Sequence, residues 1–138
     1  MVRVAALAVG LLVLAVPSVA GAKGGKDVQA LRTLLQKQLT LTKQGQFRVM
    51  YRTTTTKRFR ARCPYARFLR GARAARRALG PTAQVDRILV RFLTERRALV
   101  SYRFLKRGRP YLRVRFGQRD AYVKVRSGWY DDYDRVAC

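Results

Sequence analysis

The chain contains no histidine. That removes the usual proton shuttle at neutral pH, every Ser-His-Asp or Cys-His arrangement, and most zinc and copper sites. Acids are scarce too, with 7 Asp+Glu against 31 Lys+Arg, for a formal net charge of +24. None lies between Asp27 and Asp86, a stretch holding 14 basic residues. The 2 cysteines lack CxxC spacing, and no glycine-rich phosphate loop is present. These residues imply no metal and no cofactor. The chain is 49% hydrophobic, enough apolar material for a core in spite of the charge.

Residues 1–22 carry the pattern of a cleavable secretory signal peptide. Arg3 supplies a positive n-region, Val4 to Val16 form an apolar run, and Pro17 ends it ahead of Ser18-Val19-Ala20-Gly21-Ala22. The small residues allow cleavage after Ala20 or after Ala22. A membrane anchor needs roughly 20 apolar residues, and this run stops at 13. The expected organisation is therefore a signal peptide at 1–22, a flexible leader at 23–26 and a single domain at 27–138. In an exported protein, Cys63 and Cys138 predict one disulfide. Closing so long a loop would remove on the order of 4 kcal/mol of unfolded-state entropy. Two free thiols are the alternative.

Asp27 stands where an N-cap belongs, and Val28, Leu31, Leu34, Leu35 and Leu39 share one side of a 3.6-residue wheel that Gly45 ends. A short helix carrying Phe47, Met50 and Tyr51 follows, and Thr53–Thr56 reads as a loop or helix end. Pro64 opens a further helix that runs to Gly80-Pro81, with Tyr65, Phe68, Leu69, Ala72, Ala75 and Leu79 as its apolar stripe. After Pro81 the period changes to two. Runs at Ile88–Phe92, Val100–Phe104, Leu112–Phe116 and Val123–Val125 are separated by segments of hairpin-turn composition. The expectation is an α+β domain, its N-terminal helices packed on a four-stranded antiparallel meander with one apolar and one basic face.

This order, with Phe59-Arg60-Ala61-Arg62-Cys63 between helices and a meander closing on Tyr122-Val123-Lys124-Val125-Arg126-Ser127-Gly128-Trp129-Tyr130, resembles the nuclear transport factor two-like (cystatin-like cone) superfamily. The resemblance covers about residues 27–134 and implies a curved, cone-like sheet with a pocket between sheet and helices. Its members include enzymes and pure binding domains, so it supplies no function. The arginine loading departs from the family's usual small apolar ligands.

Of the 31 cationic residues, 24 are arginine. Arginine forks suit phosphate, sulfate and carboxylate groups, and compositional drift is the competing explanation. Candidate anion contacts are Arg67, Arg70, Arg73 and Arg77 on the helix. On the sheet they are Arg113, Arg115, Lys124 and Arg126, with Tyr111 and Tyr122 beside them. Asp86 shares the alternation of Ile88 and Val90. It is a weak catalytic candidate as a base beside Tyr51 or Tyr102, or the partner of an arginine such as Arg58 or Arg77. Asp131, Asp132 and Asp134 lack the spacing of a calcium loop.

The leading expectation is a secreted, non-enzymatic binding domain whose cationic surface associates with DNA, an acidic wall polymer or an anionic lipid surface. A small-ligand pocket protein or enzyme centred on Asp86 is the second reading, and a purely structural domain the third.

Overall fold

Leucine at helical spacing produces the first element. In the computed structural model, which describes residues 22–114, 120–126 and 128–134, α1 spans Ala22–Gln44. It buries Leu31, Leu34, Leu35, Leu39 and Leu41, the first of them completely. Full burial of one such side chain contributes about 2 kcal/mol. The helix starts upstream of Asp27, so the expected leader at 23–26 is helical and Asp27 is not an N-cap. Its carboxylate instead accepts hydrogen bonds from Lys124 Nζ at 2.8 Å and Trp129 Nε1 at 2.9 Å. The predicted signal segment at 1–21 lies outside the described residues.

Gly45, with φ +69°, ends α1 in the left-handed conformation that glycine tolerates best. A Cβ there would come within 2.8 Å of Arg76 Nη1, a contact the flexible guanidinium can relieve, so the backbone is what favours glycine. Two short helices follow, α2 at Phe47–Thr54 and α3 at Lys57–Arg62. Thr56 caps α3, its Oγ1 accepting from the Phe59 N–H at 3.0 Å. Thr53–Thr56, expected as a loop or helix end, comprises the end of α2, an extended link and the cap of α3. The last helix, α4, runs Tyr65–Leu79. Pro64 precedes it, and the Gly80 N–H closes it by donating to the Arg76 carbonyl at 3.0 Å. Phe68, Ala72 and Leu79 are buried as the stripe predicts, whereas Ala75 is exposed.

The sheet departs from a simple meander. β1 (Gln84–Thr94) pairs antiparallel with β2 (Arg97–Lys106) along one side. The other side of β2 is shared by β3 (Arg109–Val114), which faces Tyr102–Lys106, and β4 (Asp120–Val125), which faces Arg97–Leu99. Both are antiparallel to β2, so β3 and β4 run in the same direction. The expected third hairpin is replaced by two in-line pieces of one row. A fifth strand, β5 (Gly128–Asp134), pairs with β4, and a parallel bridge between Thr55 and Asp131 covers its outer side.

Between helices and sheet, Leu31, Leu34 and Leu35 meet Ala98, Val100, Tyr122 and Trp129, with Ile88 and Val90 packed against them. A second cluster joins the helices through Leu41, Phe47, Met50, Phe59, Cys63, Phe68 and Ala72. In β4 the large rings decide the facing. Tyr122 is 1% exposed and inward, whereas Val125 is 48% exposed. The expectation that the valines face the core and Tyr122 faces solvent is therefore inverted, as a one-residue change of facing requires.

Candidate cationic binding surface

On α4, the apolar stripe turns into the core and carries the opposite side outward. Arg67, Arg70, Arg73 and Arg77 are all exposed, and none of their side chains has an ion-pair or hydrogen-bond partner among the described residues. Like charges at helical spacing repel by a few tenths of a kcal/mol per pair. With no acid beside them, their field is directed at solvent. Arg76 differs. Its guanidinium lies against Gly45 at the C-terminal end of α1, where the helix dipole favours a cation.

The same helix is seated on an aromatic cluster. Tyr51 lies 5.0 Å from Phe68 and 5.3 Å from Tyr65, centroid to centroid. The Tyr51 hydroxyl donates to the Cys63 carbonyl at 2.6 Å, and Arg48 stacks over Tyr65 at 4.3 Å. Tyr51, one of the two tyrosines expected beside Asp86, is thus packed against the helical core. Cys63 is 1% exposed and there is no free cysteine among the described residues, while Cys138 lies outside them.

The sheet candidates are not gathered into one patch. Lys124 points toward the helices, where it pairs with Asp27. It and the Trp129 indole N–H hold the Asp27 carboxyl below the usual carboxylate range, against a small opposing effect of burial. Tyr122 is buried. Arg126 is exposed at the β4–β5 turn with φ +56°. The Arg113 side chain and the whole of Arg115 lie outside the described residues.

Asp86 sits at a register shift between Val85 and Arg87. This bulge frees its carbonyl from the ladder, and Arg32 Nη2 donates to it at 2.9 Å. Its carboxylate accepts from Arg103 Nε at 2.6 Å and forms an ion pair with the same guanidinium. The partner is thus Arg103, not Arg58 or Arg77. A cavity of about 80 Å³ beside it, lined by Arg87, Leu89, Ser101, Tyr102 and Arg103, has room for a few waters only. Asp132 accepts from the Thr56 hydroxyl at 2.7 Å and lies 3.7 Å from Arg58, and Gln38 Nε2 is 3.5 Å from Asp131. These aspartates fasten the helices to β5. No group of acids suited to a metal occurs among the described residues.

One cationic feature is not evident from sequence. The β2–β3 hairpin turns on Arg107 and Gly108, both with positive φ, as the two-residue turns suited to strand twist require. Around it Lys106, Arg107, Arg109, Pro110 and Tyr111 line an open depression of about 580 Å³. In the sequence Arg107 to Pro110 read only as a turn and Tyr111 as part of the basic sheet face; three cations within four residues beside that tyrosine were the available signal.

No family model, curated protein or solved structure matches the chain. Among the described residues, no helix is long and apolar enough to cross a membrane.

Proposed function

We propose that this chain is an exported, non-enzymatic α+β domain that binds anionic polymers through the arginine row of α4. One observation carries the reading. Arg67, Arg70, Arg73 and Arg77 are exposed together without a carboxylate partner among the described residues. Asp27, Asp86 and Asp132, by contrast, are each engaged by a cation elsewhere. Such a row meets phosphate, sulfate or carboxylate groups without first breaking internal pairs.

Export belongs to the reading because of the n-region, apolar run and small residues at 1–22. A disulfide from Cys63 to Cys138 belongs to it too, supported by the deep burial of Cys63. The resemblance to the nuclear transport factor two-like superfamily adds a proposed cone-shaped sheet but no activity.

The test is a salt series. The purified chain is titrated with fluorescent DNA beside a variant in which the four arginines are changed to glutamate. Steep salt dependence in the parent and its collapse in the variant are expected. Equal affinity of parent and variant would remove α4 from the function.

A further inference from the structure

We infer that the β2–β3 hairpin tip is a nucleotide site, so that the polymer bound along α4 is single-stranded nucleic acid. The inference rests on the polyanion reading above and names its substrate class.

The tip is fixed to the end of the arginine row. Lys106 Nζ donates to the Ala78 carbonyl at 2.8 Å, where a cation suits the C-terminal end of α4. The Arg107 N–H donates to Thr82 Oγ1 at 3.3 Å. Over roughly 15 Å of helix from Arg67 to Arg77 the row therefore leads to Arg107 and Arg109. Neither of these two side chains has an ion-pair partner among the described residues.

One detail separates the tip from a merely basic turn. Tyr111 is 50% exposed, and the Lys106 ammonium lies 4.7 Å from its ring centroid. The tip thus offers guanidinium forks for a phosphate and an aromatic ring for a flat group, around a space of about 580 Å³. A phosphate joined to a planar base fills both requirements. A lipid headgroup or an acidic wall polymer uses only the cations. A duplex keeps its bases stacked inside, so an unpaired strand is the form that reaches Tyr111.

The experiment measures affinities of the full chain for an oligothymidylate, an abasic strand of equal length and a duplex, at one salt concentration. The base-bearing strand is expected to bind about tenfold tighter than the abasic one. Tyr111→Leu should abolish that preference and Tyr111→Phe should keep it, with melting curves confirming that both variants fold. Equal binding of base-bearing and abasic strands, or a preference that survives Tyr111→Leu, overturns the nucleotide site while leaving the polyanion reading standing. Tighter binding to duplex also overturns it. Failure of every strand to bind removes both.

Discussion

Asp86 and Arg103 face each other across β1 and β2, with Arg103 Nε donating to the carboxylate at 2.6 Å. A bulge presents the aspartate and an arginine of the next strand holds it, so the strongest catalytic candidate in the sequence is engaged in fastening two strands. Both side chains are partly open to solvent, at 28% and 41%. A double-mutant cycle with Asp86→Asn and Arg103→Gln should therefore give a coupling below about 1 kcal/mol in chemical denaturation. A much larger coupling would show that the pair, though partly open to solvent, is a principal link between β1 and β2.

The Asp27 carboxyl titrates below the ordinary 3.8 in the folded chain because Lys124 and Trp129 donate to its charged form. A depressed folded value contributes stability that is complete above the unfolded value and is lost as pH falls through the folded one. Asp27→Asn should therefore be less stable than the parent near neutrality, and the gap should close on acidification below 3.8. The single tryptophan, Trp129, touches the group in question and reports unfolding by fluorescence. A gap independent of pH would mean that the substitution acts through packing.

Replacing Arg67, Arg70, Arg73 and Arg77 by glutamine should flatten the plot of log affinity against log salt for a single strand by about 3 units, at roughly 0.7 per phosphate contact. The same change should leave the melting temperature unaltered or raise it, since like-charge repulsion on α4 is relieved. An unchanged slope would assign the salt dependence to other cations.

Reduction should lower the melting temperature, and Cys63→Ser should cost on the order of 4 kcal/mol if the cross-link to Cys138 forms. Thiol titration in denaturant decides the matter directly. No reactive thiol before reduction and two afterwards are expected, whereas two thiols throughout would end the disulfide proposal.

The helices were legible where a glycine stopped a strong apolar period, as at Gly45 after α1 and Gly80 after α4. α3 was hidden because Lys57–Arg62 has one buried apolar side chain, Phe59, and its cap lies inside a threonine run. β5 was missed beyond its Gly-Trp-Tyr start because aspartates are poor strand formers. Asp131 and Asp132 are nevertheless 6% and 5% exposed, since a parallel bridge and the Thr56 hydroxyl meet them from another part of the chain. Lys124 was misplaced for a related reason. Alternation gives two faces without saying which is inward, and a lysine can face the helices when Asp27 receives it. Of the proposed site, the α4 row could be read from spacing alone. The hairpin tip could not, because its seat on Ala78 and Thr82 joins segments separated by more than twenty residues.

The bond between Asp27 and Trp129 spans 102 positions, and those from Gln38 to Asp131 and from Thr56 to Asp132 span 93 and 76. Loop closure of that length must precede the contacts that reward it, which makes folding slow relative to a chain of local helices. The bonds from α1 to Trp129 and Asp131 form only after β5 exists. Asp27 and Trp129 stand near opposite ends of the described chain, so the seam between α1 and β5 closes the domain on itself.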